Sequence, residues 1–561
     1  MNKPRNESGD TTLKFINKRG WIIALGITTV GFLVRLSGIF EWWLNPDEGI
    51  YYSMVAWRNS AMFWTEMMSN AHPPLFYLVT RAFSWMSTDF VFIRSLSLLF
   101  GSAAVFAAWL AGREISSPER TGAVTGLLTA VIVAFSPGAI VMSQLIRPYM
   151  MQLTFLLLAL YHLLRFRRQL RIANLFWYSV LLSLSILTHY SSFLALGAFG
   201  FLILRDITVG KTGRRNIYAF VAAHVAPVLI CAGLYFFHLR PHLLDSALAD
   251  EALNSWLAPF MIDSIGGVWL HLLGFMGFLF GPRFAGPAAL IWAASLILAS
   301  KRRLWPLLTL SAGAVGLAVF ASAVGHYPFG ACRHCSWLIG FVAIPLAWGL
   351  SQALFSRHRG KVFVTALIIV LVVAGNRVGR LVGTTRVSVR AVKEQILKKT
   401  DVANVEPLLK SGAEPGIVLI STQSYYLFTP LFVGEREVIE KSPDQSFFTF
   451  RWGKREVVVL RSWDFSARPE DLGKPDHLFT FVQNADRQMP RLQLGKQNEV
   501  LMVFGGWSHK TPKLLLLADQ SLPEGARLIS NKIEAPGLTA FVFDIARYRL
   551  LMKEALKRDS R

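Results

Sequence analysis

The chain has 561 residues, 53% of them hydrophobic and 17% charged, with a mean hydropathy of +0.41. That balance excludes a soluble protein built on one large core and predicts a polytopic membrane protein. The net charge of +23 does not indicate a nucleic-acid partner, because Lys and Arg are scattered between apolar runs, as in cytoplasmic loops. Some of the excess is available to attract anionic membrane lipid or phosphate.

Residues 1–20 form a polar, basic tail, expected to be cytoplasmic. The apolar run 21–40 is long enough to span and has no small-residue cleavage site, which predicts an uncleaved first helix. The loop 41–89 contains few basic residues and is placed outside. Residues 90–111 return to Arg113, 121–143 go out, and 149–164 come back to RFRRQLR (165–171), the strongest inside signal in the chain. Two spans fit within 174–205, with an outer turn at HYSS (189–192). Residues 216–238 go out, 286–300 return to Lys301, Arg302 and Arg303, 304–324 go out, 335–354 return, and 362–376 exit. This gives about eleven transmembrane helices.

Residues 265–280 are apolar but short, which predicts an interfacial or re-entrant helix. The membrane domain is thus expected over 21–378. Over 379–561 charges rise, and GIVLIS, REVVVL and LTAFVF read as strands, predicting a soluble α/β domain outside the membrane.

The outer loops carry NPDE (45–48), HPPLFY (72–77), RPY (147–149), HYSS (189–192) and HYPFGACRHC (326–335). A channel or carrier would place ionisable residues at mid-span depth. Arg35 and Arg94 lie near the outer ends of their spans instead, so the polar work is expected at the outer surface. In NPDE, Asn45 suits an N-cap, Pro46 the first helical position, and Glu48 the N3 position of a capping box. Asp47 has no such local duty. His72 sits in a turn stiffened by Pro73 and Pro74. Arg147 reads either as a snorkelling anchor or as a phosphate contact. His189 and Tyr190 are compatible with an aromatic belt. Cys332-Arg333-His334-Cys335 is open to three readings: a redox pair, half of a metal site, or a disulfide. With no second CxxC and Cys231 inside a span, zinc is disfavoured. The cysteines then read as bystanders or a local disulfide, and Arg333 and His334 as functional.

These motifs together resemble the GT-C glycosyltransferases, in particular the bacterial branch related to protein O-mannosyltransferases and the lipid A aminoarabinose transferase. The resemblance covers roughly residues 20–375, and NPDE with HPPLFY is its most specific part. The two cysteines of ACRHC depart from the pattern. The resemblance implies an inverting transferase of the bacterial inner membrane, with its C-terminal domain periplasmic. It would move a sugar from a polyprenyl-phosphate carrier to a lipid, glycan or protein acceptor. Asp47 is carried over as base, with Glu48 as a second carboxylate for acceptor or metal. A phosphate leaving group needs cations, for which Arg35, Arg94, Arg147 and Arg333 are candidates. His72 would position a substrate, His189 and His334 would contact it, and Tyr149, Tyr190 and Tyr327 would stack on or hydrogen-bond to sugar and phosphate. No cofactor is implied; a divalent metal on Asp47 and Glu48 is an alternative the sequence does not require. Two other classes compete: a lipid-linked sugar transporter or flippase, and a sensory or assembly protein, which explains the tail but not the clustered outer motifs.

Overall fold

The computed structural model describes residues 7–40, 42–56, 60–68, 72–115, 121–209, 213–244 and 257–355. In the C-terminal part it describes 399–403, 416–432, 436–441, 447–452, 455–460, 499–505, 523–535 and 538–548, with a few isolated positions besides. Two compact units result. One comprises Met1–Phe40, Trp64–Ser87 and Val91–Ser388; the other comprises Glu41–Phe63, Thr88–Phe90 and Val389–Arg561. The segment 41–89 is therefore divided, and its NPDE half groups with the C-terminal residues.

The first unit is helical. Its elements are α1 (Glu7–Leu36), then, after α2 (Pro46–Ala56) of the second unit and the short α3 (Ser60–Met68), α4 (Leu75–Ser84) and α5 (Phe90–Ile115). There follow α6 (Gly122–Phe135), α7 (Pro137–Ser143), α8 (Tyr149–Gln169), α9 (Ile172–Thr188), α10 (Ser192–Thr208) and α11 (Arg214–Leu234). The series closes with α12 (Ile265–Phe280), α13 (Ala285–Lys301), α14 (Trp305–Ala323) and α15 (Leu338–Leu354). Among the described residues, seven helices are long and apolar enough to cross a membrane, or eight if the bent pair α6–α7 is one span. The spans expected up to residue 354 all coincide with helices; the expected last span, 362–376, lies outside the described residues.

Small residues and hydroxyls hold these helices together, as expected where the hydrophobic effect does not separate helix from lipid. A methyl group on Gly126 of α6 would stand 2.7 Å from the Trp109 carbonyl oxygen of α5, so the two backbones touch. Thr125 and Ser351 bond hydroxyl to hydroxyl at 2.9 Å between α6 and α15.

The α6–α7 break has a sequence cause and a side-chain remedy. Pro137 has no N–H to offer the carbonyl of Val133 four residues earlier, and the chain bends by 60° there. Arg35, fully buried at the end of α1, donates to Val133 O at 2.9 Å and Ala134 O at 2.8 Å. It also donates to Gly31 O and to Ser143 Oγ. In a membrane a freed carbonyl needs such a partner.

Charge marks one end of the bundle. Arg167 pairs with Asp206 through two contacts of 2.6 and 2.9 Å, joining the C-terminal turns of α8 and α10. Arg168 pairs with Glu114 of α5 at 2.7 Å.

Among the described residues of the second unit, a mixed seven-stranded sheet has the order β2-β3-β4-β1-β5-β7-β6. Its strands are β1 (Ile417–Ser421), β2 (Arg436–Lys441), β3 (Phe447–Trp452), β4 (Arg455–Leu460), β5 (Glu499–Gly505), β6 (Ile529–Ala535) and β7 (Leu538–Asp544). Central β1 runs parallel to β4 and β5, and the remaining pairs are antiparallel. A buried apolar run such as IVLI suits a strand covered on both faces. GIVLIS, REVVVL and LTAFVF are β1, β4 and β7, as the sequence predicts. A short helix, α16 (Thr422–Phe428), follows β1 directly.

Candidate active site

In the first unit, four loop motifs far apart in sequence converge. HPP ends at Pro74, which starts α4; RPY starts α8; the turn between α9 and α10 carries His189; and a 3-10 turn, Arg333–Trp337, leads into α15. Their rings form one cluster. The His72 and His189 centroids are 4.9 Å apart, Tyr149 and His189 5.2 Å, His189 and His334 6.0 Å, and Tyr149 and His334 6.1 Å. The cluster sits at the N-terminal ends of α8 and α10, opposite the ion pairs of the same two helices.

Two guanidinium groups set the electrostatics. Burial, with the fields of Arg147 and Arg333, pulls the His189 pKa down to about 3. Burial first, then His189, Arg147, His334 and Arg333, holds His72 well below its usual 6.5, although part of its surface still reaches solvent. Both imidazoles are therefore neutral at physiological pH, and the fixed positive charge lies on the arginines. Arg147 is itself 4% exposed, and its backbone is held by Ser97 of α5, whose hydroxyl donates to Arg147 O at 3.2 Å.

The backbone N–H of Ser191 donates to His189 Nδ1 at 3.1 Å, and Ser191 Oγ lies 2.9 Å from the same nitrogen; with Nδ1 accepting, the ring proton of the neutral form is on Nε2. Ser191 Oγ in turn accepts from Gln152 Nε2 at 2.7 Å. His189 is 3% exposed, and its Nε2 meets no hydrogen-bond partner among the described residues. A buried donor left so is costly. It suits a ligand oxygen.

Other predicted residues have different surroundings. Tyr327 donates its hydroxyl to His334 O and accepts from Trp337 Nε1 at 3.1 Å, so it braces the 3-10 turn; burial raises its pKa. Tyr190 bonds His238, and burial raises its pKa too. Arg94 is buried and donates to Ile39 O at 3.2 Å. Arg35 is engaged by the α6–α7 break and its neighbouring turns, which gives it a structural duty the sequence does not reveal. No sequence motif marks Gln152, Ser97 or His238, and Ser191 shows only as part of HYSS. The serines of HYSS are the one local signal, being small hydroxyls next to a histidine.

In the second unit, NPDE forms the start of α2 as its spacing predicts. The Glu48 N–H donates to Asn45 Oδ1 at 2.9 Å, and the Asn45 N–H donates to Glu48 Oε2 at 3.2 Å, a complete capping box. Glu48 is fully buried and Asp47 8% exposed. Trp43 donates to Leu427 O at 2.7 Å, and a methyl on Gly49 would lie 1.9 Å from Tyr426 O, so α2 rests on α16. The TQSYYLF segment thus supports the acidic helix. Among the described residues no three His, Cys, Asp or Glu side chains form a metal-ligand group.

The family model described as dolichyl-phosphate-mannose-protein mannosyltransferase matches residues 71–232. Among curated proteins, none matches the sequence. Among solved structures, ArnT from Cupriavidus metallidurans in the apo state is similar over 95% of this chain and 99% of its own, at TM-score 0.53 and 12% identity. The same protein bound to undecaprenyl phosphate is similar over 94% and 99%, at TM-score 0.51 and 12% identity.

Proposed function

We propose, from the premise that this chain is a multi-pass membrane protein with the GT-C glycosyltransferase fold, that it transfers a sugar from a polyprenyl-phosphate carrier to an acceptor, with inversion. The observation that carries this reading is the His72–Tyr149–His189–His334 cluster, with the Arg147 and Arg333 fields and a buried His189 N–H. A phosphate leaving as a monoester needs cations and hydrogen-bond donors, not a general acid. Two arginines and a neutral imidazole donor supply both. Because the histidines stay neutral, they add donors without adding charge.

The acceptor hydroxyl loses its proton as it attacks the anomeric carbon, and the carbon–oxygen bond to phosphate breaks. Asp47 is the base in this reading, the role that the resemblance of NPDE carries over to it, while Glu48 completes the cap. The single displacement inverts the anomeric centre. Glu48 orders the helix that carries Asp47. Proton removal by a carboxylate and phosphate departure onto arginines need no metal, so turnover is expected to survive exhaustive chelation. In this reading the Arg167–Asp206 end faces the cytoplasm of a bacterial inner membrane and the ring cluster the outer side, an orientation supported by the basic residues gathered at that end.

Binding of undecaprenyl phosphate to the purified protein tests the phosphate half. Arg147→Ala and His189→Ala should each weaken it about tenfold to a hundredfold, the value of one charge-assisted or buried hydrogen bond. Unchanged affinity in both variants would remove the cluster as the phosphate site.

A further inference from the structure

The two cysteines that break the GT-C resemblance flank the turn that presents Arg333 and His334. Cys332 is the N-cap of that 3-10 turn, with extended backbone at φ −123° and ψ 155°. The N–H of Cys335 returns to Cys332 O at 3.1 Å. This closure leaves the two sulfurs 3.6 Å apart, both beside the Pro328 carbonyl, with Cys332 6% and Cys335 0% exposed. A disulfide needs about 2.05 Å between sulfurs, so about 1.5 Å of approach remains. Side-chain rotation within an already closed turn can supply it. Cys231 belongs to α11 and is the one other cysteine in the chain.

We propose that Cys332 and Cys335 are joined by a disulfide in the mature protein, and that the bond fixes the turn carrying Arg333 and His334. The inference rests on the outward placement proposed above, because such bonds persist in oxidising compartments. The oxidant is a disulfide-bearing exchange partner. One cysteine thiolate attacks the partner's disulfide and forms a mixed disulfide. The second then attacks that bond, and the partner leaves as a dithiol carrying the two electrons and the two protons that the cysteine thiols gave up. Since both sulfurs end up buried, the exchange precedes packing of the turn, and the finished bond is shielded from reductants. A ring of so few residues contributes little through chain entropy, so its effect is local. It holds the His334 carbonyl, which Tyr327 braces, and the His334 ring in the cluster.

The test counts thiols in the full chain. Cells are quenched in acid, and the protein is denatured and labelled with a maleimide before and after reduction. The proposal expects one label, on Cys231, before reduction and three after it, with a peptide-mapped Cys332–Cys335 linkage. Cys332→Ser should show two labels without reductant. Three labels on the unreduced chain, or either cysteine linked to another chain, would overturn the proposal. Transfer activity in a chain with three free thiols would sink the disulfide and leave the transferase reading standing. A mapped disulfide in a chain inert toward lipid-linked sugar would support the disulfide and sink the transferase.

Discussion

Gly49 lies directly against the backbone carbonyl of Tyr426: a methyl group in its place would stand 1.9 Å from that oxygen. The helix that begins with NPDE is therefore seated, through the fourth residue after its cap, on a helix of the C-terminal domain nearly four hundred positions later in the chain. The Trp43 bond to Leu427 O fixes the same contact from the other side of the cap.

Gly49→Val should push α2 off α16, because the atom it meets is backbone and cannot rotate away. A cost of about 1–3 kcal/mol is expected from overpacking, read as a lower Tm of the C-terminal domain and as lost transfer. An unchanged Tm would show that the seat is looser than the geometry indicates.

Asp47 and Glu48 should separate on substitution. Asp47→Asn is expected to lower turnover by about 10²–10⁴-fold, the range for general-base loss, with Tm unchanged. Glu48→Ala removes one partner of the capping box and should cost about 0.5–2 kcal/mol of stability, alongside any loss of activity. Thermal unfolding and turnover measured on the same preparations distinguish the two residues.

Arg35 is expected to act on stability alone. Arg35→Ala leaves the Val133 and Ala134 carbonyls without their donor, at about 1–3 kcal/mol for each buried group. Arg35→Lys offers one point of donation in place of a fork and should rescue little. Both variants are expected to unfold at lower temperature, while polyprenyl-phosphate binding by the folded fraction stays unchanged.

Stability should also depend on pH. His189 has its folded-state pKa depressed to about 3 from 6.5, and His72 is depressed as well. Between these values the unfolded chain binds protons that the folded chain refuses. The stabilisation is thus fully present above pH 6.5 and is lost as pH falls toward 3, at up to about 1.4 kcal/mol per pH unit for each histidine. His189→Asn should flatten that acid limb. An acid limb identical to wild type would contradict the neutral, buried state assigned to His189.

Much of the fold is legible from apolar run length and the placement of Lys and Arg, since a bilayer leaves few other ways to satisfy a backbone. NPDE as a capping box followed from local spacing, because both partners lie within one turn. What stayed hidden depends on long-range contact. Arg35 reads as a cation near a membrane surface, and only its meeting with the Pro137 break, about a hundred residues away, shows the duty it performs. The seating of Gly49 on Tyr426 is equally invisible, since a glycine after two acids has no local signature of what lies above it. The tautomer of His189 depends on the Ser191 N–H, a backbone group that no motif spells out.

The most direct measurement compares lipid extracts, by mass spectrometry, from cells carrying the wild-type chain and cells carrying Asp47→Asn. If the chain uses a polyprenyl-phosphate-linked sugar, one such lipid accumulates with Asp47→Asn while a glycoside carrying the same sugar disappears from the envelope. Identical lipid-linked sugar profiles in the two strains, with both proteins folded and equally abundant, would contradict it.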